Sequence, residues 1–210
     1  MILVNNQNWE KIKKNVFDKG FDVVDNFLNP QKALDIRKEI LNNNTVDDVY
    51  ATYTAKNYDK NHKHCSVISK ELGAYWPELS NSYERGWSFI YDNKGEGVGI
   101  HQDYESVLTL NIWLTLDKCV EDKEKNGLII YPIRPPKEFL SLSHEELHKT
   151  WINYLNMHKH IKPFKIDYKF NRAVFNNNFL HETNGLSMKD GKENKRVSLT
   201  LLFGNLFRNN

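Results

Sequence analysis

Cysteine is almost missing from this chain: Cys65 and Cys119 are the only two in 210 residues. That is far too few to staple a domain of this size, so a disulfide-built fold is excluded and both are expected as reduced thiols. No apolar run approaches the roughly 20 residues that cross a bilayer. The amino terminus, from Met1 to Asn8, has no basic stretch followed by an apolar one, so no secretory signal is expected. Charge of either sign has little excess, with 29 Lys and Arg against 27 Asp and Glu for a net +2, which gives no electrostatic basis for nucleic-acid or membrane partners. Internal repeats and low-complexity tracts are absent as well. These absences lead to the expectation of a soluble, cytoplasmic protein with one domain spanning 1–210.

What the chain does have is aromatic residues, 12% of the total with five Trp and ten Tyr, which favours a β-rich core and a cavity lined by rings. A short helix and then a strand precede Asn29-Pro30, where an N-cap residue is followed by proline at the first helical position. Ala33, Leu34, Arg37, Ile40 and Leu41 continue at helical spacing to Asn42, and Ile68, Leu72, Tyr75 and Trp76 repeat that pattern up to Pro77. Between these helices, residues 45–63 read as a strand entering a loop. That loop holds His62-Lys63-His64-Cys65, which has zinc-ligand types but no second pair at a usable spacing. Strands are expected at 87–91, 98–103, 107–115, 128–131, 173–175 and 197–203. Lys94-Gly95-Glu96-Gly97 forms a turn, and Asn126-Gly127 gives the strongest hairpin signal in the sequence.

Within 98–103 the order Val98-Gly99-Ile100-His101-Gln102-Asp103 puts an imidazole and a carboxylate on one face of a strand, because side chains alternate with a period of two. A second histidine, His181, follows about eighty residues on. Two histidines and one carboxylate with open positions are the ligand set of non-haem Fe(II) oxygenases. Farther along, Arg196, Ser198 and Thr200 share one face of a strand and Val197, Leu199, Leu201 and Phe203 the other. A guanidinium beside a hydroxyl on the cavity face suits a carboxylate, gripped by two parallel N–H groups.

The order His-x-Asp, then His, then Arg-x-Ser resembles the Fe(II)/2-oxoglutarate-dependent dioxygenase family, over roughly residues 20–204 and most closely at 87–111 and 171–204. The resemblance implies a mainly β fold with flanking helices: a double-stranded β-helix, the jelly roll of the cupin superfamily, braced by amino-terminal helices. It also implies that His101, Asp103 and His181 hold Fe(II), and that Arg196 and Ser198 take the far carboxylate of 2-oxoglutarate. Tyr91 and Asn111 stand where family members place co-substrate contacts, and O2 is the second co-substrate. The expected reaction is hydroxylation of a C–H bond, with release of succinate and CO2, on a small-molecule or peptide substrate.

Residues 133–170 interrupt the strand pattern. Ser143 and Glu146 make a capping box, and Leu147, Trp151, Tyr154 and Leu155 form one helical face. This helical insertion is expected to cover the barrel mouth. Its His144 and His148, spaced i,i+4, read as part of a solvated face. The competing reading is a metal-binding cupin-like module or isomerase without oxygenase activity. Arg196 separates the two, since a cupin has no need of a cation there. Zinc hydrolysis, the third reading, would need neither oxygen nor a keto acid.

Overall fold

Helix capping and strand alternation account for most of the architecture. The computed structural model describes residues 1–4, 6–43, 45–103 and 106–204, with only the backbone described for Leu140, Ser141, His144 and Glu145. Helix α1 (Trp9–Lys19) is capped by the Asn8 side chain and closed by Gly20 at φ 85°. That is the left-handed conformation in which glycine is favoured. Strand β1 (Phe21–Val24) follows, and then α2 (Pro30–Asn42), whose cap is Asn29 with Pro30 at the first position. A hairpin of β2 (Asp48–Val49) and β3 (Tyr53–Tyr58) fills the expected strand-and-loop region. The helix after it, α3 (Lys63–Tyr75), begins several residues before its apolar repeat, with His62 at its N-cap. The remaining elements are β4 (Tyr83–Tyr91), β5 (Lys94–Gly95), β6 (Leu108–Trp113), β7 (Leu128–Tyr131), α4 (His144–Met157) and β8 (Phe164–Ile166). The chain closes with β9 (Ala173–Asn176), β10 (Leu180–Thr183), β11 (Leu186–Ser187) and β12 (Val197–Phe203).

The strands form a seven-stranded sheet in the order β1-β9-β6-β12-β4-β3-β2, a three-stranded sheet β10-β7-β8, and a small pair β11-β5. All pairings are antiparallel. On the large sheet, Leu108, Leu110 and Ile112 of β6 and Val197, Leu199, Leu201 and Phe203 of β12 face one way. They pack with Ile12 and Val16 of α1, Ile36 of α2 and Leu72 of α3 into the main core. The opposite face meets the small sheet through Trp113, Val174, Leu128, Ile130 and Ile166. A third cluster docks Leu147 and Trp151 of α4 on Ile100, Ile133 and Leu180. Layering of helices, large sheet and small sheet leaves the interior between the two sheets for a site.

Several expectations need correction. Residues 98–103 form no strand; their only ladder contact is an isolated bridge between His101 and His181. Thr183 N–H bonds Val98 O, while His101 and His181 exchange both backbone hydrogen bonds at 2.9 Å. Three steps on one side thus face two on the other, an extra residue of the kind that makes a bulge and re-aims a side chain. Asn126-Gly127 closes no hairpin, since β6 and β7 are not neighbours. Asn126 is instead a buried clamp, its amide donating to Asp122 O and Ser187 O and accepting from Ser187 N. The insertion is shorter than 133–170, because β8 within it pairs with β7. The expected i,i+4 relation of His144 with His148 falls on a side chain outside the described residues.

Asn171 joins the layers at the end of the chain's return to the large sheet. It sits at φ 59° and is 1% exposed. Its side chain both accepts from Leu28 N and donates to Leu28 O. Asn171→Ala should cost about 2–4 kcal/mol, because two buried backbone groups lose their partners in a left-handed conformation that alanine tolerates poorly. Asn171→Gly should recover roughly 1 kcal/mol of that loss. Denaturant melts of the two variants check the ordering.

Candidate metal centre

Each of the three expected ligands comes from a different structural cause. His181 lies on β10, two residues after a turn in which Asn178 adopts φ 60°. Asn176 holds that turn: its Oδ1 accepts from Phe179 N, and its Nδ2 donates to Phe179 O. His101 is brought opposite His181 by their paired backbone bonds, and the two rings lie 4.2 Å apart. Asp103 follows in irregular chain that Gln102 ties down by donating from Nε2 to Asn178 O.

His101 Nε2 is then 3.8 Å from Asp103 Oδ1, and His181 Nε2 is 3.4 Å from Asp103 Oδ2. Ligand atoms of the three residues all lie within 4.8 Å of one another, the one such cluster among the described residues. His101 Nδ1 is 2.7 Å from Gly99 O, and His181 Nδ1 is 3.0 Å from Phe179 O. A neutral imidazole that gives its Nδ1–H to a carbonyl leaves the Nε2 lone pair for a metal. Burial, with the neighbouring His181 next in effect, holds His101 below its ordinary value, so it is neutral at pH 7. The set fits a divalent cation with two nitrogen and one oxygen ligands and open positions.

A second group of polar atoms lies in the same interior, on the inner face of the large sheet. Register places Ser198 opposite Phe89 and Trp113, and Thr200 opposite Trp87 and Asn111. Arg196 comes one step before β12, its carbonyl bonded by Tyr91 N. Its guanidinium lies 4.5 Å over the Tyr91 ring and under 6 Å from the rings of Trp113 and Tyr168. At 1% exposure, its Nε and Nη1 have no hydrogen-bond partner among the described residues, and the same holds for Ser198 Oγ and Asn111 Oδ1. A buried cation without a counter-charge is costly unless an anion completes it. The Arg196 N–H groups and the Ser198 hydroxyl are donors, the kind of atoms that a carboxylate would satisfy. Of the seven expected site residues, His101, Asp103 and His181 form one cluster, Tyr91 packs against the Arg196 guanidinium, and Ser198 and Asn111 stand farther along the same sheet at register positions opposite Trp113 and Thr200.

Sequence reading missed the residues that position the ligands. Tyr168 stacks on Trp113 at 5.2 Å, and its hydroxyl donates to Thr115 O while accepting Thr115 N–H. Arg134 donates to Asn177 O and covers the Phe179 ring at 4.6 Å, steadying the turn before His181. These are single residues in irregular segments, with no periodicity to announce them. The side chains of the His62-to-Cys65 motif are engaged with one another and with their neighbours. His62 contacts Cys65 and stacks on Tyr58, His64 pairs with Glu39, and burial pushes the Cys65 thiol up to about 12.

Beside the metal position opens a cleft of about 380 Å³. Its floor is Val98 to Asp103, its wall the inner side chains of β3 and β4, and His148 and Trp151 of α4 close it. No helix among the described residues is long and apolar enough to cross a membrane.

Comparison with protein-family models and with curated proteins finds no match. Comparison with solved structures finds many. A prolyl-4-hydroxylase from Pseudomonas putida superposes with a TM-score of 0.63 at 11% identity, over 94% of this chain and 98% of that one. HygX from Streptomyces hygroscopicus, solved with nickel and 2-oxoglutarate bound, gives 0.61 at 12% identity over 94% and 87%. The non-haem α-ketoglutarate-dependent epimerase SnoN of nogalamycin biosynthesis gives 0.63 at 11% over 96% and 87%. At these identities the likeness establishes the fold, which is the double-stranded β-helix of the 2-oxoglutarate oxygenases with flanking helices.

Because burial disfavours the protonated form of His101, the metal-free chain should lose stability as the pH falls below the ordinary imidazole value of about 6.5, where the unfolded state binds the proton more readily. His101→Asn should flatten that part of the profile. Thermal melts between pH 7 and pH 5 in chelator check this; an unchanged slope in the variant would remove His101 as the cause.

Proposed function

We propose that the protein is a non-haem Fe(II)- and 2-oxoglutarate-dependent oxygenase that hydroxylates a C–H bond. The observation that carries this reading is the buried Arg196, whose guanidinium edge lacks an acceptor, in a chain that also gathers two histidines and one carboxylate into a single cluster. A metal-binding jelly roll without a keto-acid co-substrate gives no reason to bury that cation.

The roles divide by position. His101, His181 and Asp103 would hold the iron through two Nε2 atoms and a carboxylate oxygen, leaving three positions of an octahedron open. Arg196 would grip the distal carboxylate of 2-oxoglutarate by two N–H groups, with Ser198 Oγ adding a third hydrogen bond. Tyr91 and Trp113 present their faces to the guanidinium and fix its plane. Asn111 donates to Thr200 Oγ1 on the neighbouring strand, and its Oδ1 has no partner among the described residues. When bound, ferrous iron supplies O2 activation coupled to oxidative decarboxylation of 2-oxoglutarate, one oxygen atom entering succinate and the other the substrate. Helix α4 excludes water from the cleft, since Leu147 and Trp151 pack on Ile100 and Leu180, each adjacent in sequence to a ligand histidine. The neighbour described as an epimerase uses this fold for another outcome, so product analysis decides between hydroxylation and a different oxidation.

Anaerobic protein with Fe(II) and 2-oxoglutarate should show the visible charge-transfer band of a chelated keto acid, and His181→Ala should abolish it. Arg196→Ala should leave metal binding near wild type while weakening 2-oxoglutarate by about 2–5 kcal/mol, the usual cost of removing one member of a buried, hydrogen-bonded charge pair. Arg196→Lys should recover only part. Calorimetric affinity for 2-oxoglutarate that stays unchanged in Arg196→Ala would assign the carboxylate anchor elsewhere.

A further inference from the structure

We infer that the primary substrate is a small molecule with a neutral, planar aromatic ring, held by stacking against a wall of rings beside the metal ligands. This deepens the oxygenase reading and rests on it for the chemistry performed on the bound ring compound.

Five tryptophans are present, and four of them are 7% exposed or less. Trp87 alone stays part-exposed, and it lines the cleft. Alternation along β4 puts Trp87 and Phe89 on the same inner face, while β3 contributes Tyr53 from the neighbouring strand. The rings touch in series. Trp87 meets Phe89 at 6.0 Å, Phe89 meets Tyr53 edge-on at 5.3 Å, and Tyr53 stacks on Tyr50 at 4.4 Å and 20°. Tyr50 is 48% exposed. A stacked aromatic pair left open to solvent at the mouth of a concave site is a surface that gains from a further flat partner.

At the foot of this wall, on the floor of the cleft, are His101 and Asp103, which belong to the same lining. A ring lying on Trp87 and Phe89 is therefore held next to the metal position. The volume, about 380 Å³, is at the lower end for small-molecule sites and too small for a folded partner. Polar recognition is sparse. Apart from the metal ligands, Asp48 and Asn57 bring a carboxylate and an amide that bond each other at 3.4 Å, Arg85 lies 5.8 Å over the Trp87 ring, and His148 projects from α4. With one acid and one base on the rim, the cleft has no single-sign field to select a charged ligand. A hydroxyl or N–H donor on the ring suits the Asp48 carboxylate.

The probe is β-naphthol, neutral and flat with one hydroxyl, compared with its saturated counterpart decahydro-β-naphthol, which has similar size and the same hydroxyl but no aromatic face. Both are titrated into the full chain without iron or keto acid by ligand-observed NMR and calorimetry, so the outcome is independent of the charge-transfer test above. Saturable one-to-one binding of β-naphthol is expected, about tenfold tighter than the saturated compound. Tyr50→Ala and Trp87→Ala should each weaken it about tenfold, in line with the loss of one stacking partner, and Trp87→Phe should retain most of the affinity. Tyr50 is exposed, so its replacement tests the wall even if Trp87→Ala fails to fold. Equal affinity for the two compounds, no effect of either alanine variant, or binding of a tyrosine-containing peptide but not of β-naphthol would overturn the inference.

Discussion

Two backbone hydrogen bonds between His101 and His181 are the contact on which the centre depends. Residues that exchange both bonds in an antiparallel pair are held with their side chains on one face. The bridge therefore sets two imidazoles side by side before any metal is present. It does so outside any regular strand on the His101 side, where the extra residue between Val98 and His101 changes the parity of the chain. The Gly99 carbonyl lies 2.7 Å from His101 Nδ1 and the Phe179 carbonyl 3.0 Å from His181 Nδ1, so the backbone orients both rings as well as setting their positions.

Around this contact the two sheets hold opposite chemical surfaces. One face of the large sheet is apolar and carries the helices. Its other face holds Arg196, Ser198, Thr200 and Asn111 in register. The unpartnered atoms of Arg196, Ser198 and Asn111 would be a defect in a plain structural core, since each buried polar group left unbonded costs stability. The unbonded N–H groups of Arg196 and the Ser198 hydroxyl are donors, the kind of atoms that a carboxylate satisfies. The aromatic residues Tyr91, Trp113 and Tyr168 enclose that cation, and Tyr168 is fixed in turn through both of its bonds to Thr115.

The chain after β7 completes the enclosure. Ile133 receives a bond from Leu180 N, and Arg134 reaches Asn177 O, so the segment leading to α4 is fastened to the turn that carries His181. Helix α4 thus lies over the cleft, with Trp151 inward. Its opposite wall, β3 and β4, keeps rings at the surface that a soluble protein would otherwise cover.

Much of this was legible in the residues themselves. The Asn29-Pro30 and Ser143-to-Glu146 caps announced two helices, because capping chemistry is local. The alternation of β12 announced which of its residues would face the core. Ligand types and their order along the chain singled out the three residues that meet in one cluster and the arginine that the fold buries. Other features depended on distance in space. Strand β10, bearing His181, is four residues long with Asn176 and Asn178 before it, too short and polar for a pattern, and it exists only because β7 and the His101 segment pair with it. Residues 98–103 read as a strand but fold as a bulged loop, since period-two alternation does not reveal an inserted residue that only the partner's register exposes. Asn126-Gly127, read as a hairpin turn, became a buried clamp once Ser187, sixty-one residues away, offered both of its backbone groups. The sequence by itself determined which side chains could carry the chemistry; tertiary structure decided where they meet, because that meeting is set by hydrogen bonds and packing between segments about eighty residues apart.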